Sequence, residues 1–174
     1  MKFSASRNSD TCHRLHLRSI DNGAVSNPMT LKLPHTLGPY QLTERIAVGG
    51  MAEIFLAQEM NGGEFGHSLV VKRMHEHLSK TQSTRARFDN EATLLEQIQH
   101  PAFVQLIDSG VDNDIPYLVF AHVDGQSLHE LPKRQPEQAI AICADLCDAL
   151  HHLHTTVRVA HCDVSPQNVM ITRN

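Results

Sequence analysis

From Tyr40 onward the chain carries short runs in which apolar and polar positions alternate, separated by glycine-bearing or polar turns. Residues 40–47 (YQLTERIA) and 53–59 (EIFLAQE) have this period of two, so two strands are predicted, joined by the turn from Val48 to Ala52. Asn61-Gly62-Gly63 marks a second turn, and residues 68–73 (SLVVKR) a third strand. The period then changes. Phe88, Ala92, Leu95 and Ile98 fall at helical spacing, which predicts a helix over 82–99 that His100-Pro101 stops. Two more strands follow, near 103–111 and 115–123. A second helix starts at Pro136, a residue suited to a first turn, with Ala139, Cys143, Leu146, Leu150 and Leu153 as its inner face. A short strand at 157–159, a polar loop at 161–168 and an apolar strand at 169–172 (VMIT) complete the pattern. This order predicts an α+β protein: a small antiparallel sheet with one helix, then the start of a mainly helical region.

Residues 1–38 show no sustained period and are rich in Ser, Asn, Arg and His, which predicts a disordered tail ending at Gly38-Pro39. The tail carries a net charge of +3 and the rest of the chain −7, within a total of −4. That balance argues against a nucleic-acid partner. Hydrophobic residues make up 41% and charged residues 20% of 174, the profile of an ordinary globular chain. No apolar run approaches the roughly 18 residues of a membrane span, and the N-terminus lacks the apolar stretch of a secretory signal. A cytoplasmic location is the expectation. Cys12, Cys143, Cys147 and Cys162 form no Cys-x-x-Cys pair and are read as reduced thiols. His151, His152 and His154 could share a helix face toward zinc, but no further ligands complete a set, and a solvated helix end explains them as well.

Four features carry chemistry. In the turn Ala47-Val48-Gly49-Gly50-Met51-Ala52, small residues let a backbone close over a phosphate, though paired glycines between strands also make ordinary hairpins. Lys72 ends an apolar strand and would set a cation on a pocket wall; alone it would read as a surface lysine. Glu91 lies three after Phe88 and four before Leu95, on the buried stripe of the predicted helix. A carboxylate there needs a cation, and Lys72 is the natural partner. The last and most specific feature is His161-Cys162-Asp163-Val164-Ser165-Pro166-Gln167-Asn168. An Asp and an Asn five apart on a loop before a strand can serve one centre, the carboxylate orienting an attacking hydroxyl and the amide oxygen ligating magnesium.

Together these residues resemble the bacterial protein serine/threonine kinase family over residues 40–174, roughly the first half of a kinase domain. The resemblance implies a kinase-like N-lobe with hinge at 39–123 and the beginning of a C-lobe at 124–174. It implies ATP and Mg2+ as cofactors and a protein substrate. It makes Asp163, Lys72 and Glu91 catalytic. Nucleotide contacts would come from Ala47, Val48, Gly49, Gly50, Ala52, Ile54 and Lys72. Phe120 would gate the adenine pocket, Ala121 and Val123 would read the adenine edge, and Ser127 would lie near the ribose. Asn168 would hold the metal. The loop GGMAEIFLA is typical of bacterial members, although Ala47 and Ala52 stand where glycines are usual. Cys162 replaces an arginine that binds a phosphorylated activation loop, and Ser165 a lysine that touches the transferred phosphate. The Asp-Phe-Gly motif would follow Ile171 and does not occur among the 174 residues. The leading expectation is an ATP-dependent serine/threonine protein kinase present as an incomplete domain, inactive by itself. The alternatives are a non-catalytic nucleotide-binding or interaction fragment and a small-molecule phosphotransferase of similar fold.

Overall fold

The alternating runs become a six-stranded, wholly antiparallel sheet. The computed structural model describes residues 3–5, 31–60 and 68–173. Its elements are β1 (Phe3–Ala5), β2 (His35–Leu37), β3 (Tyr40–Val48), β4 (Ala52–Glu59), β5 (Ser68–Met74), α1 (Glu76–Ser79), α2 (Gln82–Glu96), β6 (Leu106–Asp112), β7 (Ile115–Ala121), β8 (Gly125–Ser127), α3 (Pro136–His152) and β9 (Val169–Thr172). They fall into two units. Among the described residues, one comprises 31–60, 68–95 and Leu106–His122, the other Phe3–Ala5, Glu96–Gln105 and 123–173.

The first unit holds the large sheet, in the order β2-β3-β4-β5-β7-β6. Two of its turns follow from local chemistry. Gly38-Pro39 joins β2 to β3 as a two-residue hairpin, with Gly38 at φ +56°, where a side chain would be strained. Asn113 and Asp114 join β6 to β7 with φ of 47° and 64°, the double left-handed turn that matches strand twist and that Asn and Asp tolerate best.

One face of this sheet buries Leu37, Tyr40, Leu42, Phe55, Ala57, Leu69, Val71, Tyr117 and Val119 as a single cluster. The Tyr40 hydroxyl donates to Asp108 Oδ2 at 2.8 Å. Four strand spacings of about 4.8 Å would put β3 and β6 about 19 Å apart in a flat sheet. The bond therefore requires a strongly curled sheet that wraps its own core. Tyr40 and Tyr117 meet edge to face, with centroids 6.3 Å apart. Tyr117 leans over Gly110, where a Cβ would come within 2.5 Å of its hydroxyl.

The second unit is built on a smaller sheet, β1-β9-β8, with β8 antiparallel and β1 parallel to β9. Ala102, Phe103, Ala149, Leu153, Val169 and Ile171 form its core, flanked by Ile142, Leu146, Leu150, Val157 and Val159.

Most expected elements are present within a residue or two of their predicted bounds. β6 begins at Leu106 instead of 103, because Phe103 joins the second unit's core. The sheet begins at His35, inside the expected tail, whose residues 1–2 and 6–30 lie outside the described residues, as does the turn at Asn61-Gly62-Gly63. The strand expected at 157–159 is not formed. α3 runs on into a widened π-helical turn at Leu153–Val157, and Arg158 at φ 61° ends it in the left-handed conformation. Val157 and Val159 still pack on the core, so the alternation was real but arises from a helix end. The inner face of α3 is also rotated: Ala139 and Cys143 are exposed, while Ile142, Leu146, Ala149, Leu150 and Leu153 face inward. The helix is apolar on more than one side, with Ile140 69% exposed, so spacing alone did not select the stripe. Cys143, Cys147 and Cys162 are free thiols.

Burial and the Asp108 carboxylate hold the Tyr40 hydroxyl well above its usual value of 10.0, and burial raises Tyr117 in the same direction. A raised folded-state value stabilises below the unfolded value and is lost as pH rises past it. Stability in denaturant melts should therefore fall above about pH 10. The fall should be shallower in Tyr40→Phe, with Tyr117 leaving a residual slope. Equal slopes in the two proteins would detach this hydrogen bond from alkaline unfolding.

Candidate functional site

The sheet face opposite the apolar cluster carries the candidate residues of the first unit. Ala47 pairs with Ile54, Ile54 with Lys72, and Lys72 with Leu118, so these four stand in one row across β3, β4, β5 and β7. Phe120 is two residues from Leu118 and pairs with Val70, which places it on the same face. Residues that sequence reading separated by up to 73 positions are thus aligned by register alone.

Lys72 is buried in this apolar row and needs a counter-charge. Its Nζ donates to both carboxylate oxygens of Glu91, at 2.8 and 2.6 Å. It also lies 5.5 Å from the centroid of the Phe88 ring, a favourable cation–π position. α2 supplies both partners because Phe88, Glu91 and Leu95 share one helix stripe, with Phe88 and Leu95 buried. The Lys72 side chain is 9% exposed and that of Glu91 27%. The pair is therefore formed but not sealed.

The Val48–Ala52 turn closes on itself. Gly49 N–H donates to the Ala52 carbonyl at 2.8 Å, while Gly50 and Met51 N–H have no backbone partner among the described residues. Gly49 and Ala52 are buried, and Val48 and Gly50 exposed. β7 ends at Ala121, half-buried, and Val123 is buried in the other unit.

The second unit carries the loop at 161–168. Pro166–Asn168 form a single 3-10 turn leading into β9. Asn168 is 3% exposed and its Nδ2 donates to the Asp163 carbonyl at 2.9 Å and to Asp163 Oδ2 at 2.7 Å. Both partners only accept, so the amide nitrogen must face them and Oδ1 is turned away, available as a ligand atom. Asp163 N–H donates to His161 Nδ1 at 3.2 Å, and the Asp163 side chain remains exposed. Cys162 between them adopts φ 60°.

Ser127, which the resemblance set near a ribose, bonds main-chain carbonyls of the loop. It is buried on β8, and its hydroxyl lies 3.1 Å from the Pro166 carbonyl and 3.4 Å from that of Gln167. Leu128 N–H donates to the Val169 carbonyl at 2.7 Å and His129 N–H to that of Pro166 at 3.2 Å. Ser127 and its neighbours thus brace the loop from β8. Sequence reading missed this bracing because it runs through main-chain carbonyls, which every residue has. It also missed His75, whose Nε2 lies 2.7 Å from the Gly49 carbonyl. Among the described residues no cluster of three His, Cys, Asp or Glu side chains is arranged to hold a metal ion.

The family model described as the protein kinase domain matches residues 40–174. Among curated relatives, a probable serine/threonine-protein kinase of Streptomyces coelicolor is 36% identical over 145 residues, covering 79% of this chain and 21% of the relative. Serine/threonine-protein kinase PknB of Mycolicibacterium smegmatis is 33% identical over 148 residues, covering 80% and 23%. The chain thus spans about a fifth of the length of these relatives. Among solved structures, the PknI kinase domain of Mycobacterium tuberculosis superposes with a TM-score of 0.65 at 23% identity, over 83% of this chain and 60% of that one. The fold is protein-kinase-like, as the resemblance implied.

The ion pair makes a measurable statement about stability. Removing one member of a buried pair costs about 3–5 kcal/mol, and the partial exposure of Glu91 reduces this. Glu91→Gln should lose about 1–3 kcal/mol in denaturant melts. In a double-mutant cycle with Lys72→Met, the two changes should couple by about 1 kcal/mol or more. Strict additivity would show that the pair is held in place without contributing.

Proposed function

The chain belongs to the protein kinase domain family, and on that premise we propose that it is the nucleotide-binding and catalytic-loop portion of a serine/threonine protein kinase, which transfers a phosphoryl group from ATP-Mg to a protein hydroxyl. The observation that carries this reading is the Lys72–Glu91 pair at 2.8 and 2.6 Å, set in a row with Ala47 and Ile54. An ammonium held by one half-exposed carboxylate retains N–H capacity for a second anion. Lys72 would hold the phosphates, with the N–H groups of Gly50 and Met51 beside them. Ile54 and Phe120 offer apolar surface for the adenine, and the main chain at Ala121 and Val123 its polar edge. The names of the curated relatives support a protein hydroxyl as acceptor.

In the second unit Asn168 fits a magnesium ligand: it is an amide whose Oδ1 is turned outward by its own hydrogen bonds. When bound, the metal supplies neutralisation of phosphate charge. Asp163 would orient the acceptor hydroxyl and take its proton, and its hold on Asn168 fixes the carboxylate for that task. The family's Asp-Phe-Gly aspartate, a main metal ligand, is not among the 174 residues, so we infer that these residues alone do not complete the reaction.

The test is nucleotide binding by the purified chain, measured calorimetrically with ATP-Mg and with adenosine. Lys72→Ala should weaken ATP at least tenfold, the loss of a charge-assisted contact, and leave adenosine nearly unchanged. Equal ATP affinity in both proteins would remove Lys72 from the site. Labelled-phosphate incorporation into a basic protein should be at background for this chain and match its Asp163→Asn variant. Incorporation above that variant would show that the 174 residues suffice.

A further inference from the structure

The residue after β5 makes two bonds to the glycine turn. His75 N–H donates to the Met51 carbonyl at 3.1 Å, and the His75 ring places Nε2 2.7 Å from the Gly49 carbonyl. A carbonyl only accepts, so Nε2 carries the proton. The ring is buried at 6% exposure, and the His77 ring stacks on it with centroids 5.3 Å apart. None of the residues assigned a nucleotide role above explains why a histidine should be spent here.

In a trans peptide the C=O and the following N–H lie antiparallel in one plane. Fixing the Gly49 carbonyl therefore fixes the direction of Gly50 N–H, and fixing the Met51 carbonyl fixes that of Ala52 N–H. Glycines at 49 and 50 would otherwise leave these planes free to rotate. His75 thus removes the freedom that small residues introduce, on the side of the turn away from the N–H groups.

We propose that His75 is a positioning residue for phosphate binding: by holding the 49–50 peptide plane through its ring, and the base of the turn through its own N–H, it directs the exposed Gly50 N–H outward as a preformed donor for the phosphates of a nucleotide. The proposal rests on the nucleotide-binding reading given above. Preorganised backbone donors bind an anion without first losing conformational entropy. The side-chain bond holds the first plane and the main-chain bond the second, so substitution at 75 acts on the first.

Affinities for ATP and adenosine are measured on the full chain for wild type, His75→Leu, His75→Gln, His75→Asn and Lys72→Ala, with thermal melts to confirm folding. His75→Leu should weaken ATP about tenfold, the equivalent of one hydrogen bond, and leave adenosine little changed. The Gln amide nitrogen reaches about as far as Nε2 and should restore most of the loss; the shorter Asn should not. That Gln–Asn contrast decides the matter if the leucine variant does not fold. Equal ATP affinity across the His75 variants, with Lys72→Ala weakened, overturns the role of His75 and leaves nucleotide binding standing. Failure of the wild type to bind ATP overturns both. The latch has a readout of its own without nucleotide: Gly49 N–H should exchange with solvent faster in His75→Leu and recover in His75→Gln. Unchanged exchange would show that the ring does not hold the turn.

Discussion

An ammonium group on an otherwise apolar sheet face cannot be left alone. Lys72 sits in a row between Ile54 and Leu118, and its side chain is almost fully buried. Desolvating that charge without a partner costs several kcal/mol. A carboxylate must therefore be brought to it from outside the sheet. Glu91 can arrive only if α2 lies with its Phe88–Glu91–Leu95 stripe toward the sheet, so this one electrostatic requirement fixes the rotation of the helix. The curl of the sheet serves the same end. By wrapping one face around Tyr40, Phe55 and Tyr117, the first unit forms a core without using the other face, which stays available to the helix and to chemistry.

What the sequence made legible was whatever one side chain says about itself or a neighbour at fixed spacing. Strands β3, β4, β5, β7 and β9 announced themselves by alternation or by apolar runs, and α2 by its stripe. The Lys72–Glu91 pair followed from a charge argument about a carboxylate on the buried stripe of α2. The misreadings have a common cause. A strand was expected at 157–159, but a helix end with one left-handed residue spaces the half-buried Val157 and Val159 as a strand does. α3 is apolar over more than one stripe, so 139/143 and 142/149 were equally plausible inner faces, and only the packing of Ala149 and Leu153 chooses. β8 has three residues, Gly125–Ser127, too few for any period. His75 and Ser127 act on main-chain carbonyls, and a carbonyl leaves no trace in the sequence.

The two sets of candidate residues, one in each unit, solve the same problem by different means. Around Lys72, position comes from side chains on rigid elements, a strand and a helix. Around Asp163, it comes from the main chain. Ser127, Leu128 and His129 on and after β8 hold the Pro166, Gln167 and Val169 carbonyls, and the loop is fastened to the small sheet before any catalytic side chain is considered. This explains why Ser127 is buried and why Gly125, whose Cβ would come within 2.6 Å of the Ile171 carbonyl, must be small: the β8–β9 pairing has to be close for the hydroxyl to reach.

Cys162 shows what that fastening is for. A non-glycine residue at φ 60° costs about 1–2 kcal/mol, and the exposed thiol's weak hydrogen bond to the Ala160 carbonyl, at 3.6 Å, offsets little of it. The offset comes from the next residue. With the chain turned at 162, Asp163 gives its N–H to His161 Nδ1 and receives Asn168 Nδ2 on both its carbonyl and its carboxylate. Three hydrogen bonds, each worth about 0.5–1.5 kcal/mol net, exceed the cost of one strained residue. Asp163 stays exposed nonetheless. In the proposed role, a carboxylate that is accessible yet fixed at its main chain and at one oxygen would have little orientation left to lose when a hydroxyl approached, and its other oxygen would serve that encounter. The strain at Cys162 is the structural cost of that combination, and it is met locally, within six residues of chain.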